Sequence, residues 1–204
     1  MSDLQSECIL GVLLAGGESR RMGQDKALLA VAEYPTLIHR QLALLRSLPL
    51  QALVLSRHTR HKTPSGLDVP VLTDRNREQH EGPLAGIQAA AFAWPEATAL
   101  LVLPVDLPFI RAEVLQRLLD EGRASGRAVY YEDEYLPLYL PLSDALRQDL
   151  NQRVDLATAD RSIKGLLRRQ DALALPLPAD PLALANTNTP EQWQACHAGT
   201  SLSE

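Results

Sequence analysis

Residues 8–17 run Cys8-Ile9-Leu10-Gly11-Val12-Leu13-Leu14-Ala15-Gly16-Gly17, an apolar stretch without a polar break that ends on paired glycines. A run with no polar alternation is what a strand needs when both faces of a parallel sheet are covered. The glycine-rich segment that follows, Ala15 to Gly23, falls where an open α/β sheet receives a ligand, beyond the carboxyl end of a strand. This stretch predicts a parallel α/β sheet with an anion site at the end of its first strand.

The pattern repeats outward along the chain. Leu37, Ile38, Leu42, Leu44, Leu45 and Leu48 fall near helical spacing, so 37–48 is read as an amphipathic helix. Leu53-Val54-Leu55 and Val69-Pro70-Val71-Leu72 are short strand candidates, the second weakened by its proline. Gly82 precedes a helix over 83–94, with Pro83 at a tolerated first-turn position. Leu100-Leu101-Val102-Leu103 is a further buried strand, and 113–121 a further helix. Past Gly126, residues 128–131 and 136–140 are strand candidates, one of them a candidate for antiparallel pairing; 143–150 and 162–169 look helical. Thr189-Pro190-Glu191-Gln192 fits a capping box that opens a last helix. The alternation predicts a doubly wound, mostly parallel sheet with helices on both faces. With no repeat, long linker or low-complexity tract, residues 1–204 are expected to form one domain.

Composition removes several function classes. Lys+Arg number 20 against 25 Asp+Glu, giving a net charge of −5, the wrong sign for a general nucleic-acid binder. Aromatic residues are 4% of the chain, too few for a base-stacking platform. The two cysteines, Cys8 and Cys196, make neither a disulfide framework nor a C-x-x-C pair, and suit a reducing compartment. Residues 1–7 are polar and acidic with no basic n-region, and the apolar stretch from Ile9 to Ala15 is too short for a signal sequence or a membrane span. The expectation is a soluble, cytoplasmic protein that engages neither membrane nor nucleic acid.

The residues after each proposed strand carry the chemistry. Gly16 and Gly17 let backbone N–H groups approach an anion without Cβ interference, and Arg20, Arg21 and Lys26 offer cations to a triphosphate. The loop is neither a Walker A sequence nor a dinucleotide G-x-G-x-x-G. A glycine turn with solvated charges would also account for it. The second strand runs into Ser56-Arg57-His58, the third into Thr73-Asp74, and the fourth into Pro104-Val105-Asp106. A carboxylate closing an apolar strand must be paired, exposed or metal-bound. Mg²⁺ takes one or two protein carboxylates and completes its shell with phosphate oxygens and water, so Asp106 is the leading metal ligand. A helix cap near Ile110 is the competing use of Asp106, and simple turn chemistry that of Asp74. His58-x-x-His61 has ligand-like spacing but no third ligand, and Arg60 and Lys62 beside it suggest a solvated basic loop. Arg161 could meet a substrate phosphate, although Asp160 and Ser162 around it equally suit a helix start.

Leu14-Ala15-Gly16-Gly17-x-Ser19-x-Arg21-Met22-Gly23-x-Asp25-Lys26 resembles the signature of the molybdenum cofactor guanylyltransferases. Gly82-Pro83-Leu84-Ala85-Gly86, Pro104-x-Asp106-x-Pro108 and Asn186-x-Asn188-Thr189-Pro190 match further family segments in the same order. The first motif marks a wider nucleotidyltransferase superfamily; the four together are far more specific. The resemblance implies a Rossmann-like nucleotidyltransferase fold whose residues 1–110 bind the nucleotide and 111–204 the acceptor. It implies backbone contacts to GTP from Leu14, Ala15 and Gly16, Lys26 on the phosphates, Asp74 on the nucleoside side, and Asp106 on Mg²⁺ and GTP. Ser56 stands where relatives carry a nucleotide-contacting asparagine, and Val105 where many carry a cysteine. Asn186 and Asn188 are implied near the molybdopterin pocket, and their two-residue spacing puts both on one side of an extended segment. Turn chemistry before the last helix is the alternative for this pair.

The implied reaction is in-line attack by the terminal phosphate of molybdopterin on the α-phosphorus of GTP, with pyrophosphate leaving. The nucleophile is already ionised, so alignment and charge neutralisation suffice, supplied by Asp106 with Mg²⁺, Lys26 and Arg21. Transient contact with proteins that deliver molybdopterin or receive the cofactor would accompany it. The alternatives are a cytidylyltransferase for the same pterin, a sugar- or polyol-phosphate nucleotidyltransferase, and a nucleotide-binding module without turnover.

Overall fold

The computed structural model describes residues 7–17, 25–73, 82–155, 160 and 162–186, with side chains omitted at 153–155. Arg20, Arg21, Asp74, Arg161, Asn188, the capping box at 189–192 and Cys196 therefore lie outside the described residues.

The apolar run forms β1 (Ile9–Leu14), with five of its six residues buried. It pairs in parallel with β2 (Ala52–Ser56) on one side and β4 (Ala99–Pro104) on the other. A strand flanked by strands and covered on both faces meets no water, which is why it needs no polar alternation. β3 (Val71–Leu72) extends the sheet beyond β2. It is shorter than the sequence suggests, because Val69 and Pro70 lie outside it and Pro70 has no N–H to donate to a ladder. Past β4 come β6 (Glu134–Pro141), β5 (Val129–Tyr131) and β7 (Leu173–Leu175), completing the order β3-β2-β1-β4-β6-β5-β7. β6 is antiparallel to both β4 and β5, whereas β7 runs parallel to β5, so β6 alone reverses direction. The sheet is doubly wound and mostly parallel.

Helices cover both faces. Leu42 and Leu45 from α1 (Leu37–Arg46), and Leu115 and Leu118 from α3 (Ala112–Ser125), pack with Ile9, Leu13 and Leu101 on one face. Leu84 and Ile87 of α2 (Gly82–Ala93), Leu146 and Leu150 of α4 (Asp144–Asp155), and Ile163 and Leu166 of α5 (Ile163–Arg169) pack with Leu10, Val12 and Leu100 on the other. Alternate strand residues thus feed opposite cores, as the two-residue strand period requires. α5 begins on Ser162, whose Oγ accepts from the Gly165 N–H and donates to Asp160. Among the described residues no helix is long and apolar enough to cross a membrane.

α2 lies close to the carboxyl ends of β1 and β2. A Cβ on Gly86 would stand 2.5 Å from the Ser56 Oγ and 2.7 Å from a Leu14 methyl. Gly86 is therefore required by packing, and that packing sets the wall behind the strand ends.

Candidate active site

β1, β2, β3 and β4 all end at one edge of the sheet, and reversed β6 begins there. Ala15 continues β1, with its N–H donating to the Ser56 carbonyl at 2.8 Å. Ala15 is buried, while Gly16 and Gly17 are exposed. Neither glycine has a left-handed backbone; a Cβ on Gly17 would touch nothing within 4 Å, and one on Gly16 only the His58 backbone N at 3.6 Å. Among the described residues nothing demands glycine at these two positions, in contrast to Gly86. The open space they leave faces outward, toward whatever occupies the edge. A positive φ, which would have tied either glycine to a turn, is absent at both.

Asp25 and Lys26 follow the loop. Asp25 caps a 3₁₀ turn over Lys26–Leu28, its Oδ1 accepting from the Ala27 N–H at 3.1 Å. Lys26 opens that turn and is largely buried, at 8% exposure. Ser56 is also buried, its hydroxyl set against Gly86 at the foot of α2.

β4 gives way to Val105-Asp106-Leu107, and the Val105 N–H still donates to the Leu14 carbonyl, holding this turn beside the glycine loop. Gln41 of α1, fully buried, donates through Nε2 to the Leu107 carbonyl at 2.8 Å and to that of Val105 at 3.4 Å. Arg40 donates to the Gln41 Oε1 at 2.9 Å and to the Ile110 carbonyl at 3.0 Å. α1 thereby grips the backbone on both sides of Asp106. Asp106 is not the helix cap: the N-cap of α3 is Arg111, which makes no side-chain cap bond. Its Oδ2 instead accepts from the Asn186 Nδ2 at 2.6 Å, across 80 residues of sequence.

Asn186 is delivered by a turn over residues 180–185. Ala183 and Leu184 bury themselves in the α1/α3 core, the Leu182 N–H donates to the Asp180 carboxylate at 2.9 Å, and Arg111 pairs with Asp180 at 3.5 Å. Glu134 lies at the same edge. Burial, then the charges of Asp133 and Asp106, push its carboxyl above the usual range. Sequence reading did not select Glu134; its signal was that an antiparallel neighbour of β4 must begin where β4 ends.

The expectation of a solvated loop at 58–62 fails in part. Arg60 and Lys62 are exposed, but His58 is 7% exposed and Arg57 only 1%. Arg57 was not singled out, although a guanidinium directly after a buried strand must find acceptors inside.

A glycine-rich strand end and a strand-end carboxylate thus share one sheet edge, and the family match bears on what that edge serves. The MobA-like NTP transferase domain corresponds to residues 11–173. The chain belongs to that family. It is 38% identical over 185 residues to the molybdenum cofactor guanylyltransferase of Xanthomonas euvesicatoria pv. vesicatoria, covering 90% of this chain and 91% of the relative. A solved structure, the molybdopterin-guanine dinucleotide biosynthesis protein A of Archaeoglobus fulgidus, superposes with a TM-score of 0.76 at 23% identity, covering 95% of this chain and 100% of that one. A Mycobacterium tuberculosis protein solved as a complex with manganese superposes at 0.62 with 20% identity, covering 93% and 97%. These two likenesses are of fold. Like other MobA-like transferases the chain is a nucleotidyltransferase, an enzyme class that works with a divalent metal.

The grip of α1 on the Asp106 turn gives a first expected result. Gln41→Leu keeps the volume but leaves the Leu107 carbonyl without its buried donor, which costs about 1–3 kcal/mol. Thermal melting should show that loss, and, if Asp106 meets the divalent metal, the metal concentration for half-maximal rate should rise with it. A destabilised variant with native metal dependence would make Gln41 a packing residue only.

Proposed function

We propose that the chain transfers GMP from GTP to the terminal phosphate of molybdopterin and releases pyrophosphate, making the guanine dinucleotide form of the cofactor. The observation that carries this reading is the 2.6 Å hydrogen bond from Asn186 to Asp106. It joins the residue expected beside the acceptor to the one expected on the nucleotide's metal, and phosphoryl-type transfer takes place where two such sites meet.

In this reading residues 1–110 supply the nucleotide side and 111–204 the acceptor side. The backbone of Leu14, Ala15, Gly16 and Gly17 cradles GTP, Lys26 and Arg21 offset phosphate charge, Asp74 meets the nucleoside, and Asn186 and Asn188 orient the acceptor. The metal is Mg²⁺. Asp106 fits it: one carboxylate oxygen is taken by Asn186, and no group of three or more His, Cys, Asp or Glu gathers among the described residues. A hard cation held by one carboxylate takes its other ligands from phosphate and water, which is the habit of Mg²⁺. When bound, it neutralises charge on the phosphate oxygens. A terminal phosphate oxygen of molybdopterin forms the new bond to the α-phosphorus while the bond to the β-phosphate oxygen breaks. The electron pair leaves with pyrophosphate, and no general base is needed. Because GTP is the co-substrate, the cytoplasm is its place of work.

Pyrophosphate release from GTP and Mg²⁺, measured with and without molybdopterin, tests the reading. Release should require the acceptor. GTP binding with no release under any condition would indicate a nucleotide-binding module instead.

A further inference from the structure

Arg57 follows β2 and its guanidinium is completely buried, at 0% side-chain exposure. Each of its three nitrogens has an acceptor. Nη1 donates to the Ala15 carbonyl at 2.9 Å, and Nη2 to the Asp25 Oδ2 at 2.5 Å. Nε and Nη2 both donate to the Lys62 carbonyl, at 2.9 and 2.6 Å. Ala15 opens the glycine-rich segment and Asp25 follows it, one directly before Gly16 and the other directly before Lys26. One rigid, planar side chain thus holds both ends of the segment, and it also ties them to the 58–62 loop. His61 adds a second contact to the Asp25 carboxylate at 3.3 Å.

We propose that Arg57 is a positioning residue for GTP: by clamping Ala15 to Asp25 it sets the spacing between the Gly16–Gly17 amides and Lys26. It does not touch substrate, because its guanidinium is enclosed by protein. Asp25 is its counterpart, capping the 3₁₀ turn through Oδ1 while Oδ2 accepts from Arg57. A guanidinium can bridge three acceptors in one plane, whereas an ammonium is a point donor and cannot span both loop ends. Phosphate-binding groups misplaced by about an ångström lose on the order of a hundredfold in effectiveness. The proposal rests on the reading that the glycine loop and Lys26 hold the triphosphate.

The test compares Arg57→Lys, Asp25→Asn and Lys26→Met in the full chain, with thermal midpoints and separate KM values for GTP and molybdopterin. Arg57→Lys keeps the buried charge, so Asp25 is not left unpaired. It should raise the KM for GTP by about 10- to 100-fold and leave that for molybdopterin within about twofold. Asp25→Asn has one oxygen for two donors, so it cannot both cap the turn and accept from Arg57, and it should raise the same KM. Combining the two should add little, since both loosen one tie. Should Arg57→Lys fail to fold, Asp25→Asn decides alone. Folded variants with native KM for GTP, or with both KM values raised equally, would overturn the proposal. In that event Lys26→Met separates the causes. If it raises the KM for GTP, the clamp idea alone has failed; if it does not, the phosphate-loop reading has failed as well.

Discussion

Asp106→Asn is expected to fold normally and to lose about 10²–10³ in kcat, the scale of removing one preorganised electrostatic contact. The fold should survive because the substituted amide retains an oxygen to accept from Asn186, and because the turn is held by Gln41 and Val105 backbone contacts, not by the carboxylate. What disappears is the negative charge at the seam between the two proposed subsites. The loss should be largest at limiting Mg²⁺ and only partly recovered by excess metal, which a rate-against-Mg²⁺ titration reads directly. Near-native turnover at limiting Mg²⁺ in a folded variant would remove Asp106 from the metal.

The second large effect concerns base choice. The resemblance implies that the Gly16 backbone meets GTP, so a side chain added there bears on which base the loop accepts. Gly16→Ala should be well tolerated by the chain itself, since the new methyl would meet only the His58 backbone N at 3.6 Å and the backbone is not left-handed there. The methyl then intrudes on the ligand's space instead. One methyl group in a close-fitting pocket is worth about 1–3 kcal/mol, so the preference in kcat/KM for GTP over CTP should narrow by roughly 10- to 200-fold. Full reversal is not expected, because a site built to hydrogen-bond guanine still lacks partners for cytosine. Equal proportional loss with both nucleotides would assign Gly16 to the phosphates and leave base choice elsewhere.

The parts of this molecule that sequence reveals are those where one local pattern decides the outcome. β1 and β4 read as apolar runs because each is flanked by strands and sealed on both faces. Asp106 was legible for the converse reason: a carboxylate at the end of such a run has few cheap uses. β7 was missed, as Leu173-Ala174-Leu175 is too short to carry a period and takes its register from β5. Gln41 gave a signal that went unused. It lies four residues from both Leu37 and Leu45 on the buried face of α1, and a polar residue there must satisfy something inside. Arg57 gave less, because its three partners come from the two ends of one distant segment and from the turn beside it. Likewise, nothing local to Asn186 foretells a contact 80 residues away. The motifs mark the candidate site residues; the contacts that hold Asp106 and the loop ends in place have no local pattern.

The most direct test of the account is the identity of the product. The protein is incubated with molybdopterin, Mg²⁺ and each of the four nucleoside triphosphates in turn, and the pterin product is weighed by mass spectrometry. GTP should yield molybdopterin joined to GMP, with one pyrophosphate released per pterin converted and little product from the other three. A cytosine dinucleotide as the main product, or pyrophosphate release with the pterin left unmodified, would contradict it.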